Sequence, residues 1–179
     1  MSHARSGYAP RLTIPVGPED HVQGDAAAPV TLLEYGDYQC PYCGQAYPIV
    51  KAVQKAMGKR LRFVFRNMPL TEMHEHAELA AEAAESAAAQ GKFWEMHDAL
   101  YEHQRELGPQ LIAQLVRKLA LDGARLERDL EVGTFREHVR RDFMGGVRSG
   151  VAGTPTFYIN GERYEGELDP GSIEAALRE

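Results

Sequence analysis

Residues 35–48 read YGDYQCPYCGQAYP and contain the only two cysteines of the 179-residue chain, Cys40 and Cys43. The preceding stretch, PVTLLEYGD, carries a continuous apolar run, which is typical of a strand buried on both faces of a parallel sheet. After Cys40 apolar residues recur every three or four positions, and Pro41 suits the first helical turn, where its missing N–H is not needed. The pattern predicts that both cysteines lie where a central strand passes into a helix.

The spacing of the two cysteines suits reversible disulfide chemistry. Residues three apart on a helix have Cβ atoms about 5–6 Å apart, close to what a disulfide requires. Free N–H groups at a helix N-terminus stabilise an anion, so we expect a lowered pKa for Cys40. Cys43, one turn deeper, would then break a mixed disulfide formed on Cys40. The predicted redox group is the Cys40–Cys43 disulfide itself, with no other cofactor.

A Cys-x-x-Cys pair can also be half of a zinc site. The chain has no third cysteine, and the nearest histidines belong to His74-Glu75-His76. Their two-residue spacing places the imidazoles on different faces of a helix. We therefore expect no metal at the cysteine pair.

Composition excludes two classes of partner. The chain has 20 basic and 26 acidic side chains and a net charge of −6, whereas nucleic acids and anionic membranes require a basic face. No apolar run is long enough for a signal peptide or a membrane span. As written, the sequence predicts a cytoplasmic protein; a chain trimmed before Met1 would instead be extracytoplasmic.

The rest of the chain divides into strands around a helical block. LRFVFRN (61–67) predicts a second strand, and RLTIPV (11–16) an edge strand followed by a loop over 17–29. Residues 72–149 predict four or five helices, one of them opened by a capping box from Thr134 to Glu137.

The C-terminal stretch predicts a β-hairpin and a last helix. Strands at Thr156–Ile159 and Arg163–Glu165 would turn at Asn160-Gly161. Asp169-Pro170 would open the helix that follows.

These features together resemble the DsbA-like branch of the thioredoxin superfamily. They are the strand followed by CPYC, Pro48 shortly after it, the helical block, and Gly153-Thr154-Pro155-Thr156 before the hairpin. The resemblance implies an α/β, thioredoxin-like fold with an inserted helical domain. Its expected parts are a flexible leader (1–11), a half carrying CPYC (12–70), the helical insertion (71–149) and a half carrying the proline loop (150–179).

The resemblance also implies the remaining site residues. Pro155 would be a cis proline facing the disulfide, and Thr154 would offer its backbone to a substrate peptide, beside Pro41 and Tyr42. Glu34 would be a buried acid that moves a proton to or from Cys43; the alternative is a glutamate that reaches solvent at the strand end.

The predicted function is exchange of disulfides with cysteine-containing proteins, in cooperation with a redox partner protein or glutathione. Tyr42 stands where strongly oxidising members have histidine, so we expect a moderate potential, from about −230 to about −150 mV. One alternative is a kappa-type glutathione transferase or isomerase, although those enzymes typically have a serine at the motif and no resolving cysteine. Another is an accessory binding module, since similar domains are fused to sodium/proton antiporters.

Several polar residues receive no functional role from the sequence. Asp37 is expected to be a loop acid. The acidic face of the first inserted helix is expected to be solvated, and three histidines are expected at the surface or half-buried. The acidic face consists of Glu75, Glu78, Glu82 and Glu85. The three histidines are His97, His103 and His138.

Overall fold

The structure, a computed structural model, describes residues 10–179. The leader expected over 1–11 therefore lies outside the described residues, except for its last two positions. Pro10 accepts a hydrogen bond from the Arg163 N–H at 3.0 Å, and Arg11 forms an isolated bridge with Glu162. This end of the described chain lies against the C-terminal hairpin.

One five-stranded sheet joins the two ends of the chain. Its strands are β1 (His21–Gly24), β2 (Val30–Gly36), β3 (Leu61–Asn67), β4 (Thr156–Ile159) and β5 (Glu162–Arg163). The spatial order is β1-β3-β2-β4-β5, with β2 and β3 parallel and the other pairs antiparallel. The predicted central strand, second strand and first hairpin strand are confirmed, and the central strand has neighbours on both sides.

The edge of the sheet differs from the prediction. No strand forms over residues 11–16; β1 lies instead within the stretch expected to be a loop. The buried Arg66 side chain explains the difference, because its guanidinium donates hydrogen bonds to the carbonyl oxygens of Ile14 and Pro15. The Arg66 side chain thus forms the hydrogen bonds that these two carbonyl groups would otherwise have made to a neighbouring strand. The second hairpin strand is also shorter than predicted and ends at Arg163.

Seven α-helices lie among the described residues. They are α1 (Pro41–Met57), α2 (Ala77–Ala89), α3 (Phe93–Glu102), α4 (Pro109–Lys118), α5 (Gly123–Val132), α6 (Arg136–Arg148) and α7 (Pro170–Arg178). The helical block therefore has five helices, as predicted, and Asp169 caps α7 through the Ser172 N–H. The predicted capping box is wrong: Thr134 donates its N–H to the Asp129 carbonyl and so completes the end of α5.

Both faces of the sheet are covered, which explains the continuous apolar sequence of β2. Leu32 faces a large core shared with the helices, whereas Leu33 and Tyr35 face a smaller one with Val64 and Tyr158. The alternation of side chains along a strand assigns successive residues to opposite cores. Among residues 10–179, no helix combines the length and apolar character needed to cross a membrane.

Two expectations about polar residues of the insertion are wrong. Glu82 and Glu85 are buried rather than solvated, and His97 is buried in the core. The Ala-rich sequence of α2 leaves little side-chain bulk, so neighbouring elements approach it closely and cover its acidic residues.

Candidate active site

The sheet brings the cysteine motif and the proline loop together. β2 ends at Gly36 just before the motif, and its Tyr35 pairs with Thr156 at the start of the antiparallel β4. The Thr154–Pro155 bond, immediately before β4, is cis as predicted. Residues more than one hundred positions apart in sequence therefore meet at one end of the sheet.

Cys40 occupies the N-cap position of α1, and Pro41 opens the helix. Both cysteines are free thiols. The pKa of Cys40 is lowered to about 5, chiefly because the Cys43 thiol donates a hydrogen bond to its sulfur. The Thr154 side chain and the backbone N–H groups of Cys43 and Tyr42 lower this pKa further, and together these contacts outweigh the opposing effect of burial. Cys40 Sγ lies 3.5 Å from the Thr154 carbonyl oxygen.

Cys43 has the opposite environment. Its side chain is fully buried, and its pKa is raised far above the ordinary value, first by burial and then by its hydrogen bond to Cys40. The Asp37 N–H lies 3.5 Å from Cys43 Sγ and provides one donor for a transient thiolate. At neutral pH the two sulfurs thus form a pair in which Cys40 is a thiolate and Cys43 is a thiol.

Glu34 is buried on β2, with only 3% of its surface exposed. Its pKa is raised to about 8, mainly by burial and further by the nearby charge of Cys40. An ionised Glu34 would also raise the pKa of Cys43, so the two groups are electrostatically coupled. The structure therefore favours the buried acid over the glutamate that reaches solvent.

Sequence reasoning missed the part played by Asp37. Its side chain is fully buried, and its two carboxylate oxygens accept hydrogen bonds from the Gln39 and Leu70 N–H groups. His74 Nδ1 lies 2.7 Å from one of these oxygens. These bonds fix the loop whose backbone N–H faces Cys43. A short acidic residue before CPYC was visible in the sequence, but two of its three partners, Leu70 and His74, lie more than thirty positions away.

Gln104 is a second residue without a sequence signal. Its Nε2 donates to the carbonyl oxygens of Tyr38 and Cys40, both at 2.8 Å. A Cβ added at Gly44 would collide with the same side chain. The insertion thus holds the loop before α1 directly, through an amide that only the three-dimensional structure identifies.

The surface beside Cys40 is open and partly apolar. Tyr42 is 66% exposed and lines a groove together with Thr154, Pro155, Phe157 and Tyr164. The four residues predicted for substrate binding, Pro41, Tyr42, Thr154 and Pro155, all lie around the Cys40 end of α1.

The comparisons with known proteins agree with this geometry. Residues 17–179 match the family model described as Thioredoxin. A thioredoxin-like oxidoreductase from Silicibacter pomeroyi DSS-3 is 28% identical and has a TM-score of 0.79, covering 90% of this chain and 92% of that one. Oxidised BdbD from Bacillus subtilis is also 28% identical, with a TM-score of 0.78 over 88% of this chain and 90% of its own.

The chain is also similar in sequence to part of a longer protein with a different name. A protein of Salinispora arenicola called Na(+)/H(+) antiporter NhaA 1 is 44% identical over 176 residues. That match covers 93% of this chain but 26% of the relative, so the chain spans about a quarter of that protein's length. Fold, motif and family model agree on one conclusion: the chain belongs to the thioredoxin family and has the fold of its DsbA-like thiol–disulfide oxidoreductases.

Proposed function

We propose that the chain exchanges disulfides with cysteine-containing proteins through Cys40 and Cys43. The observation that carries this proposal is the opposite shift of the two thiol pKa values, with Cys40 lowered to about 5 and Cys43 raised. The attacking sulfur of such an exchange must be a thiolate, and the second sulfur must stay protonated until it is needed.

In the oxidising direction, a substrate thiolate attacks Cys40 Sγ of the closed disulfide. The S–S bond breaks, Cys43 leaves as a thiolate, and a mixed disulfide joins substrate and Cys40. A second substrate thiolate then attacks the substrate sulfur and releases Cys40 as a thiolate. The substrate dithiol loses two electrons, and the cysteine pair gains them. The reducing direction runs through the same steps in reverse, beginning with attack by Cys40.

Glu34 supplies the proton that Cys43 needs as a leaving group. With a pKa of about 8, its carboxyl is mostly protonated at neutral pH. A buried thiolate with a strongly raised pKa is a poor leaving group, and a neighbouring acid lowers that barrier. The Asp37 N–H stabilises the same transient charge.

The groove beside Thr154 and Pro155 would hold the substrate as an extended peptide. Exposed Tyr42 provides apolar contact at one side, and the Thr154 backbone lies against the reacting sulfur. Backbone pairing with an extended segment would bind many sequences. The proposed substrates are accordingly cysteine-bearing proteins in general, with glutathione or a redox protein restoring the pair.

Reduction of insulin by dithiothreitol tests the proposal. We expect Cys40→Ser to abolish catalysis, and Cys43→Ser to accumulate a mixed disulfide visible by non-reducing electrophoresis and mass. Glu127→Gln, at an exposed position on α5, is the control and should retain activity. Catalysis that survives Cys40→Ser would refute the proposal.

The antiporter relatives support a second candidate, an accessory module that senses or maintains thiols for a transport protein. Ion transport requires a path through the membrane, and none of the helices within residues 10–179 is built to span one. The quarter that is shared with those relatives would then supply thiol chemistry or binding rather than the ion path. Binding of Cys40→Ser to an antiporter domain, without insulin reduction by the unmodified chain, would favour this candidate.

The reduction potential connects function to compartment. A value above about −180 mV would indicate a disulfide donor for an oxidising compartment, and one below about −250 mV a reductant for the cytoplasm. We propose the cytoplasm for a potential in the lower range and an extracytoplasmic site for the upper range.

A further inference from the structure

Two histidines and two carboxylates meet away from the cysteine pair, where the insertion contacts the sheet. We call His21, Glu85, His138 and Asp142 the histidine–carboxylate cluster. His21 comes from β1, Glu85 from α2, and the other two lie one turn apart on α6. Their side chains are 3–19% exposed. Three separate elements therefore converge on one small, mostly buried polar site.

The distances within the cluster suit a single metal ion. His21 Nε2 lies 2.8 Å from both Glu85 carboxylate oxygens, and His138 Nε2 lies 3.1 Å from one of them. His138 Nε2 is 3.6 Å from Asp142 Oδ2. A tetrahedral zinc site with bonds of roughly 2.0–2.1 Å has ligand atoms about 3.3 Å apart. Ligand atoms of His21, Glu85 and His138 all lie within 4.8 Å of one another, so small rotations would centre them on one ion.

The surroundings orient the cluster as metal ligands are usually oriented. Phe93 stacks on the His21 ring, with ring centroids 3.6 Å apart and planes 7° from parallel. The Asn67 amide nitrogen donates to Glu85 at 2.9 Å and to Asp142 at 3.0 Å. Such outer contacts fix ligand orientation and are characteristic of metal sites.

The Asn67 amide that contacts the cluster also carries a buried oxygen without a partner among the described residues. Asn67 is 1% exposed, and its Oδ1 accepts no hydrogen bond from the part of the chain that the structure describes. A buried acceptor without a partner is destabilising unless a water or an ion satisfies it. His138 and Asp142 also line a surface pocket of about 140 Å³, which gives an ion a route from solvent.

An ion-pair network is the competing explanation of the same contacts, and it predicts no metal affinity.

We propose that His21, Glu85 and His138 bind a divalent transition metal, best matched by Zn²⁺, with Asp142 within reach as a fourth ligand. Two imidazoles with carboxylates favour zinc over calcium or magnesium, which prefer oxygen ligands alone. Because β1, α2 and α6 each contribute, the ion would tie the helical insertion to the edge of the sheet. Thermal stability would then depend on the metal.

Isothermal titration with Zn²⁺ tests the site. The untagged chain should carry Cys40→Ser and Cys43→Ser, because the free thiols could bind zinc themselves. We expect one equivalent to bind with a Kd near or below about 1 μM and to raise Tm. His138→Gln should weaken binding at least ~10-fold and abolish the Tm shift. His103→Gln is the matched control and should bind like the parent.

A spectroscopic measurement on the oxidised chain with native cysteines covers the case in which His138→Gln fails to fold. Co²⁺ should give the visible absorption of a tetrahedral nitrogen–oxygen site, without a thiolate charge-transfer band, and Zn²⁺ should displace it. His21→Gln should remove that absorption. No binding at 100-fold excess over the expected Kd, or unchanged affinity in His138→Gln, would overturn the proposal and leave an ion-pair network.

Discussion

Replacing the buried carboxyl of Glu34 by an amide should stabilise the protein, and the gain should grow with pH. Glu34 has an ordinary pKa of 4.5 and a folded pKa of about 8. Between these values the unfolded chain ionises the carboxyl while the folded chain keeps it protonated. Ionisation thus favours unfolding as pH rises through this window, and Glu34→Gln removes that effect.

The magnitude follows from the two pKa values. Linkage gives a cost of about 1 kcal/mol at pH 5, about 3 kcal/mol at pH 7, and a plateau near 5 kcal/mol well above pH 8. Below pH 4.5 the cost disappears, because both states are protonated. A hydrogen bond that the new amide gains or loses changes the stability of Glu34→Gln by the same amount at every pH. It therefore does not affect how the stability difference between the parent and Glu34→Gln varies with pH.

Urea unfolding of the reduced proteins at pH 5, 6 and 7 measures the difference. We expect the stability gain of Glu34→Gln to increase by about 2–3 kcal/mol from pH 5 to pH 7. Exposed Glu127 on α5 provides the control substitution, Glu127→Gln, which should give a difference independent of pH. The increase should be smaller in the oxidised protein, because the Cys40 thiolate is the second cause of the raised pKa. A gain that does not change between pH 5 and 7 would refute the assignment of Glu34 as a buried neutral acid.

Three further predictions concern the cysteine pair and its support. The thiolate absorbance of Cys40 should titrate near pH 5, and Cys43→Ala should move this midpoint upward because the largest stabilising hydrogen bond is lost; an unchanged midpoint would contradict that cause. The reduction potential in glutathione buffers should be about −220 mV. Thioredoxin has a potential of about −270 mV, and a thiolate pKa about two units below that of thioredoxin adds about 50 mV at pH 7. A measured value near about −120 mV would show that Tyr42 does not lower the oxidising strength of the pair. Gln104→Ala should lower stability in urea by about 1–2 kcal/mol by removing two hydrogen bonds to the loop before α1, whereas Gln110→Ala, exposed on α4, should not; equal effects would contradict the role of Gln104.

The sequence predicted those elements whose patterns are local and strong. The apolar run of β2, the proline that opens α1 and the turn at Asn160-Gly161 each carry their own signal, and all three elements formed. β1 failed as a prediction because His21–Gly24 has no apolar alternation; it becomes a strand by pairing with β3 at the sheet edge. Its register, with His21 opposite Phe65, is a tertiary property that a single strand cannot encode.

The site shows the same division between local and distant information. Cys40, Cys43 and Pro155 were visible because their residue types are chemically distinctive at short spacing. Asp37 and Gln104 were not, because an acid and an amide are common on any surface. Their importance comes from partners brought close by the insertion and by β3. Burial is the information that the sequence lacked, and burial decides whether a polar side chain is solvated or structural.

The two thiols differ because their surroundings differ, although their side chains are identical. Cys40 is the N-cap of α1, and its sulfur accepts hydrogen bonds from Cys43, from the Thr154 side chain and from the Tyr42 N–H. Cys43 lies one turn deeper, where burial opposes ionisation and an ionised Glu34 would oppose it further. The hydrogen bond that stabilises the Cys40 thiolate exists only in the reduced form, because formation of the disulfide removes it. The reduced form is favoured by the same contacts that make Cys40 reactive, and this is why a lower Cys40 pKa makes the pair a stronger oxidant.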